Sequence, residues 1–340
     1  MKPFHPSSPN PLHPLALMYR ALISRCVRKF SDSPTPHVSA KMSAKLKSVG
    51  VFGAGQMGTG IAIVASRYLT NSKIHVFDPF LSSIDSSKKF VESWGHKEVK
   101  KGRMTDNDLN EFLGRISHHE LKTTSEGGSY IEPIEDLFAE VDFAIEAVPE
   151  VFELKEKLLK EFEKNCKFDS IFATNTSSIS ITRIASASIR PEKVIGMHFM
   201  NPVPVMPLVE IIKGLSTSES TLKCTIDLCK AFNKTPATSI DRPGFIANRL
   251  LMPYINEAIF ALQEGVSTRD DIDKIMKLGT NMPMGPLELA DFIGLDTCLA
   301  IMKVLHTEFG DSKYRPAPLL VQMVTARKLG RKTNEGFYLY

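Results

Sequence analysis

Over roughly the first two thirds of the chain, short apolar runs alternate with longer segments in which apolar residues recur at helical spacing. The apolar runs predict strands over residues 46–52, 73–77, 141–148, 170–174 and 193–198. The segments between and after them predict helices over residues 59–65, 86–101, 105–117, 151–166 and 217–232. Apolar strands that alternate with helices are typical of a mostly parallel sheet covered by helices. An α/β fold is therefore predicted for this part.

After residue 241 the helical periodicity continues without intervening strands. One long helix is predicted through Gln263, and its apolar positions recur every three or four residues along one face: Ile255, Ala258, Ile259, Leu262. Further helices are predicted over about residues 269–278, 286–308 and 316–329, with a turn at Gly294. The apolar faces of this helical part are open to two interpretations, the core of a domain or a homodimer interface.

These patterns divide the chain of 340 residues into three parts. Residues 1–45 form a leader, residues 46–240 a sheet domain, and residues 241–340 a helical C-terminal domain. Two domains of this kind leave a cleft between them, and such clefts are common binding sites.

The charge is unevenly distributed along the chain. The formal net charge is +4, but residues 1–47 contain eight Lys and Arg residues and one acid, which leaves −3 on the remainder. This balance argues against a body that binds nucleic acid. No apolar run approaches the roughly 20 residues of a membrane-spanning helix. Five scattered cysteines without metal-ligand spacing predict a reducing compartment and no metal site.

The leader has the composition of a targeting segment. Residues 15–30 contain arginines and aliphatic side chains but no acid, which is typical of a mitochondrial transit peptide. We expect import into the matrix, with removal of about the first 30–40 residues. The alternatives are a disordered tail without an address, or a start at Met42 that yields a cytoplasmic form.

A glycine motif follows the first predicted strand and opens the first predicted helix. Gly53, Gly55 and Gly58 form a G-x-G-x-x-G sequence, with Gln56 and Met57 inside the turn. In that context the glycines allow a tight turn and a close approach of backbone to a pyrophosphate at the helix N-terminus. The motif predicts a dinucleotide site, and by itself it leaves NAD, NADP and FAD open.

The second predicted strand ends in Asp78, which lies 20 residues after Gly58. An acid at this place hydrogen-bonds the ribose diol of the adenosine and repels a 2′-phosphate, so NAD is favoured over NADP.

Polar residues lie at or just after the ends of three of the later predicted strands, at the edge where open α/β sheets bind ligands. They are Glu150, the run Asn175-Thr176-Ser177-Ser178, and His198. A turn with prolines at 202, 204 and 207 separates His198 from Glu210. Because prolines stiffen the turn, Glu210 is expected to lie beside His198. There its carboxylate would orient the imidazole ring, and His198 would act as a general base. The alternative is a buried histidine that bonds to a backbone carbonyl.

Several blocks of the chain resemble the short-chain L-3-hydroxyacyl-CoA dehydrogenases of fatty-acid β-oxidation. They include VGVFGAGQMGTGIA (49–62), EAVPE (146–150), ATNTSS (173–178), GMHFMNPVPVMPLVE (196–210), DRPGFIANRLLMPYINEA (241–258), NMPMGPLELADFIGLD (281–296) and GRKTNEGFY (330–338). The resemblance implies a Rossmann-type, mostly parallel sheet domain followed by an all-helical C-terminal domain. It also implies NAD as cofactor, an acyl-CoA substrate and a homodimer formed through the helical domain.

The resemblance further implies a role for individual residues. His198 would be the general base with Glu210 as its partner, while Ser177 and Asn248 would hydrogen-bond the reacting oxygen. Cofactor contacts are implied at Asn201, Glu150, Lys155 and Lys332. Contacts with CoA are implied at Ser93 and Lys100, in a segment whose lysines otherwise predict a solvated helix face. Periodicity alone places Lys155 on the polar side of its helix.

Two rival functions use the same residues. A dehydrogenase on the same scaffold could act on a hydroxy acid without CoA, since the acyl group is selected by loops. A dinucleotide-binding protein without catalysis is the second rival, and the complete set of Ser177, His198, Glu210 and Asn248 argues against it. The segment 126–133 is expected to be a surface loop.

Overall fold

The computed structural model describes residues 46–123, 131–132 and 135–340. The leader over residues 1–45 and most of the expected surface loop at 126–133 lie outside the described residues. Among the described residues, no helix is long and apolar enough to cross a membrane.

Eight strands form one sheet: β1 (Ser48–Phe52), β2 (Lys73–Asp78), β3 (Ile116–Glu120), β6 (Phe143–Glu146), β7 (Ile171–Thr174), β8 (Val194–Phe199), β9 (Leu208–Lys213) and β10 (Thr235–Ile240). Their order across the sheet is β10-β9-β8-β7-β6-β1-β2-β3. All neighbours are parallel except β8 and β9, which run antiparallel. Two short strands, β4 (Lys122–Thr123) and β5 (Ile131–Glu132), pair with each other.

Helices cover both faces of the sheet because the central strands are apolar on both sides. The helices of this part are α1 (Gln56–Tyr68), α2 (Leu81–Lys100), α3 (Asp106–Gly114), α4 (Glu135–Glu140), α5 (Phe152–Asn165), α6 (Ile181–Ala185) and α7 (Glu219–Ala231). On one face Val51 of β1 packs in a core with α1 and α7. On the other face the next residue, Phe52, packs in a second core with α4, α5 and α6. All five residues of β1 are buried.

The rest of the chain is helical and has its own core. Its helices are α8 (Ala247–Gln263), α9 (Arg269–Gly279), α10 (Pro286–Ile293), α11 (Leu295–Phe309) and α12 (Pro318–Thr325). Ile255 and Ile259 of α8 lie in this core, as their spacing predicts. Gly294, at φ 103°, separates α10 from α11, so the segment 286–308 forms two helices that meet at the predicted turn.

Two strands at the edges of the sheet escaped prediction. The helix expected to reach residue 117 ends at Gly114, and Ile116–Glu120 pairs with β2. The other edge strand, β10, contains mostly small and polar residues, with Pro236 at its second position. Both strands are partly exposed, so neither shows the apolar run or strict alternation that identifies a strand from sequence. Proline is tolerated here because an edge strand has one unpaired side.

Candidate active site

In the glycine turn between β1 and α1, two of the three glycines lie directly against backbone atoms and the third faces empty space. Gly53 has φ 105°, and a Cβ on it would lie 2.6 Å from the carbonyl oxygen of Ala147. A Cβ on Gly58 would lie 1.8 Å from the carbonyl oxygen of Gly53. In contrast, nothing lies within 4 Å of a Cβ built on Gly55. The turn therefore closes tightly and leaves room at Gly55 for a ligand to approach the backbone.

Asp78 at the end of β2 holds this turn in place. Its Oδ2 accepts a hydrogen bond from the N–H of Ala54 at 2.8 Å, and its Oδ1 accepts one from the N–H of Phe80 at 2.8 Å. A carboxylate oxygen has two lone pairs, so each oxygen keeps one for a ribose hydroxyl. A cavity of about 1040 Å³ opens beside them, lined among others by Gly55, Gln56 and Met57. These residues fit a dinucleotide.

His198 and Glu210 face each other across the one antiparallel pair of the sheet. They are direct partners in the register of β8 and β9. Nδ1 of His198 lies 3.2 Å from Oε2 of Glu210, and the ring of Phe245 packs edge-on against the imidazole at 6.0 Å. Nε2 of His198 has no hydrogen-bond partner among the described residues. The geometry leaves Nε2 available to a ligand while Nδ1 is held by a carboxylate.

Glu210 also connects the sheet to the helical half. Its second oxygen, Oε1, accepts hydrogen bonds from the N–H groups of Ile246 at 2.7 Å and Ala247 at 3.3 Å, where α8 begins. Burial opposes ionisation of this carboxyl group, but the bonds from His198 and the two amides outweigh it and lower the pKa of Glu210 below its usual value. Glu210 therefore stays an anion near neutral pH.

Glu150 organises the loop that carries Ser177. Its Oε1 accepts hydrogen bonds from the hydroxyl of Thr176 at 2.6 Å, and from the N–H groups of Ser177 and Ser178 at 2.9 Å each. Burial raises the pKa of Glu150, but the charge of Lys155 and these hydrogen-bond donors lower it by more than burial raises it. The pKa of Glu150 is therefore below its usual value. The carboxylate is engaged by the protein, and its direct contact with a cofactor stays a prediction.

The expectation that Lys155 lies on the polar side of its helix is wrong. Its side chain is 1% exposed, and Nζ lies 2.7 Å from Oε1 of Glu146 and 3.3 Å from Oε2 of Glu150. The other oxygen of Glu146 accepts a bond from the hydroxyl of Thr174 at 2.6 Å. Burial raises the pKa of Glu146, and Lys155 opposes that rise. The periodicity of the helix cannot show that Lys155 is buried, because the two carboxylates that it contacts lie outside the helix, on β6 and on the segment after it.

Two further contacts bring predicted site residues together. Nδ2 of Asn248, on α8, donates to the carbonyl oxygen of Ser177 at 3.1 Å. Nε2 of Gln56, in the glycine turn, donates to Oδ1 of Asn201 at 3.2 Å. Asn175 belongs to the polar run that the sequence places at this edge, but no individual role was predicted for it. Its Oδ1 accepts a hydrogen bond from the N–H of Phe199, next to His198, at 2.8 Å.

The remaining predicted residues lie outside this network. Ser93 and Lys100 are exposed on α2, and their spacing of seven residues puts them on the same side of that helix. Nζ of Lys332 bonds to both oxygens of Asp296, at 2.9 and 3.1 Å, and to the hydroxyl of Thr297. Roles for these three residues stay predictions. The described residues contain no cluster of His, Cys, Asp and Glu that could hold a metal ion.

Family models match nearly all of the described chain. The model for the NAD binding domain of 3-hydroxyacyl-CoA dehydrogenase matches residues 48–241. The model for the C-terminal domain of the same enzymes matches residues 244–340. The class is thus an NAD-binding oxidoreductase, which resolves the choice of cofactor that the glycine motif left open. The chain belongs to the 3-hydroxyacyl-CoA dehydrogenase family.

Individual relatives agree with this family and confirm the expected fold. A probable 3-hydroxybutyryl-CoA dehydrogenase from Deinococcus radiodurans is 48% identical over 291 residues, which are 86% of this chain and 99% of that protein. The mitochondrial hydroxyacyl-coenzyme A dehydrogenase of Homo sapiens is 38% identical over 92% of this chain and 97% of its own length. The crystal structure of (S)-3-hydroxybutyryl-CoA dehydrogenase from Ralstonia eutropha has a TM-score of 0.80 and 43% identity, covering 87% of this chain and 99% of that one.

Proposed function

We propose that this chain catalyses the reversible, NAD-dependent oxidation of L-3-hydroxyacyl-CoA to 3-ketoacyl-CoA in fatty-acid β-oxidation. The observation that carries the proposal is the pairing of His198 with Glu210, at a sheet edge that also bears the glycine turn. Membership of the 3-hydroxyacyl-CoA dehydrogenase family supports the substrate class.

The proton chemistry belongs to His198. In the oxidative direction Nε2 takes the proton of the 3-hydroxyl group, and in the reverse direction it returns that proton to the forming alcohol. Glu210, anionic and 3.2 Å from Nδ1, fixes the tautomer and stabilises the imidazolium that results. Ser177 and Asn248, whose segments are joined by the bond from Nδ2 to the carbonyl oxygen, are placed in this proposal as donors to the same substrate oxygen.

The glycine turn and its neighbours hold the cofactor. NAD, when bound, supplies the hydride acceptor at its nicotinamide ring. Residues 53–58 would receive the pyrophosphate at the start of α1, Asp78 would accept hydrogen bonds from the ribose hydroxyl groups, and Asn201 would contact the nicotinamide end. Glu150, Lys155 and Lys332 are proposed to line or support this site, and Ser93 and Lys100 to contact CoA along α2.

A spectrophotometric assay of NADH oxidation tests the function. We expect rapid oxidation with acetoacetyl-CoA, little with free acetoacetate, and none without substrate. Equal rates with the two keto compounds would favour the dehydrogenase acting on a hydroxy acid without CoA. NADH binding without oxidation of either compound would identify a non-catalytic dinucleotide-binding protein.

Asp78 is expected to control the choice between NAD and NADP. Asp78→Asn loses the charge that repels a 2′-phosphate and one of the two bonds from Ala54 and Phe80, because its amide nitrogen cannot accept, whereas Asp78→Ala loses the charge and both bonds. We expect the KM for NAD to rise by roughly tenfold or more, and the ratio of kcat/KM for NADP over NAD to increase in both variants. Steady-state kinetics with both cofactors measure this. An unchanged ratio would remove Asp78 from the cofactor site.

A homodimer is proposed through the helical half. Large apolar side chains are exposed there, including Leu250 at 68% and Leu278 at 80%, which is typical of surfaces that bind a partner. Sedimentation equilibrium should give twice the chain mass of 37.8 kDa, and a monomer at micromolar concentration would contradict the proposal.

Location in the mitochondrial matrix is proposed from the acid-free, arginine-containing segment 15–30. The similar relatives include both bacterial proteins and a mitochondrial one, so a cytoplasmic enzyme is the alternative. N-terminal sequencing of the protein from its own cells distinguishes them, because an intact Met1 is incompatible with cleavage after import.

A further inference from the structure

The turn between β8 and β9 is poor in backbone donors. Residues 202–207 include three prolines, which carry no N–H. Of the donors that remain, the N–H groups of Val205 and Met206 both bond to the carbonyl oxygen of Pro202, at 3.0 and 2.9 Å. Val203, in the middle of the turn, is buried, and a buried carbonyl group needs a partner, so donors to its carbonyl oxygen must come from elsewhere in the chain.

Lys234 supplies those donors. Its Nζ donates to the carbonyl oxygen of Val203 at 2.5 Å and to that of Met206 at 2.7 Å. The residue is only 8% exposed, and no carboxylate within the described ranges forms an ion pair with it. Burial lowers the pKa of Lys234, as expected for an ammonium group without an anionic partner. Burying a cation without an anionic partner costs free energy, and the hydrogen bonds to two carbonyls of one turn offset part of that cost.

The same turn carries or joins several residues of the proposed site. At its start Asn201 is bonded to Gln56 of the glycine turn. In its middle Val203 packs so closely on α1 that a Cβ on Gly60 would lie 2.8 Å from the Cβ of Val203. Its two ends continue into β8 and β9, which bear His198 and Glu210. A displacement of the turn would therefore reach both the cofactor site and the histidine.

We propose that Lys234 is a positioning residue for the dehydrogenase reaction, an inference that rests on the proposed function for its kinetic readout. Its ammonium group holds the carbonyls of Val203 and Met206 together. The turn so fixed keeps Asn201 beside the glycine turn and keeps Glu210 opposite His198. Lys234 itself touches neither the cofactor cavity nor the imidazole in this arrangement.

Lys234→Met and Lys234→Arg test the inference, with Lys230→Met as the matched control. Lys230 is exposed on α7, four residues before Lys234. Methionine keeps most of the length of the side chain and removes every donor, whereas arginine keeps the charge and offers a fork of N–H donors. In Lys234→Met we expect the Kd for NADH to rise and kcat to fall, each by about tenfold, the loss typical of a charge-assisted hydrogen bond. Lys234→Arg should recover at least half of each loss on a logarithmic scale, and Lys230→Met should match the wild type.

Two measurements separate positioning from a merely structural role. Fluorescence titration gives the Kd for NADH and the number of binding-competent sites, and turnover with acetoacetyl-CoA is then expressed per competent site. Wild-type Kd and wild-type turnover per site in Lys234→Met would overturn the inference, even if fewer molecules fold. If the methionine variant does not fold at all, Lys234→Gln, which is uncharged and one atom shorter, is expected to show part of the same losses, and wild-type Kd and turnover per site in it would likewise overturn the inference. A wild-type protein inactive with acetoacetyl-CoA would refute the proposed function, while the Kd comparison would still decide the role of Lys234.

Discussion

His198→Gln should lower kcat for NADH oxidation with acetoacetyl-CoA by roughly two to four powers of ten, the usual contribution of a general acid–base group. Glutamine occupies a similar volume and can still accept or donate a hydrogen bond, but it cannot exchange a proton near neutral pH. The affinity for NADH should change by less than about threefold, because the residues proposed to hold the cofactor, the glycine turn and Asp78, do not contact the imidazole ring of His198. Steady-state kinetics and fluorescence titration measure the two quantities.

His306→Gln is the matched control for this prediction. His306 is exposed on α11 in the helical half, so the same change of residue type should leave kcat within about twofold, as for surface substitutions in general. Turnover of His198→Gln within tenfold of the wild type would show that another group exchanges the proton. A parallel loss of NADH binding would show that the ring serves the cofactor site and not the reaction.

Lys155→Met should destabilise the protein by about 3–5 kcal/mol, the cost of breaking a buried ion pair by removing one partner. The side chains of Lys155 and Glu146 are 1% and 0% exposed, so methionine would leave the Glu146 carboxylate desolvated and without its cation. The loop that carries Ser177 should also loosen, because Lys155 contacts Glu150 as well. Equilibrium unfolding in urea, compared at equal m-values, measures the change.

A second ion pair on the same helix provides the control. Nζ of Lys160 lies 2.7 Å from Oε1 of Glu156, the distance found in the buried pair, but these side chains are 52% and 30% exposed. Lys160→Met should cost less than about 1 kcal/mol. The double variant Lys155→Met/Glu146→Gln should recover much of the loss, since it removes the uncompensated charge. Equal effects of the two single lysine substitutions would contradict the account of the buried pair.

The sequence predicted those parts of the fold in which local pattern and chemistry agree. The strand, glycine turn and helix at residues 48–68 combine an apolar run with a spacing that few other structures require. The approach of Glu210 to His198 was predictable because only a short, proline-stiffened segment separates two strand-like runs. The edge strands β3 and β10 were not predictable, because many of their side chains are exposed and neither sequence shows the alternation of apolar and polar residues that identifies a strand.

The partners of two buried lysines could not be read from the sequence. Lys155 looks like any polar helix residue, and only the fold shows that β6 and the segment after it place two carboxylates on its ammonium group. Lys234 is similar, because its two carbonyl partners lie 28 and 31 residues away. The missing donors of the proline-rich turn were visible, but the residue that compensates for them was not.

The crystal structure of the complex with NAD and acetoacetyl-CoA would test the central claim most directly, through the distance from Nε2 of His198 to the 3-keto oxygen. We predict a hydrogen bond of about 2.6–3.2 Å, with Nδ1 still on Glu210. A keto oxygen bound elsewhere in the cleft, with Nε2 facing away from it, would contradict the assignment of His198 as the base.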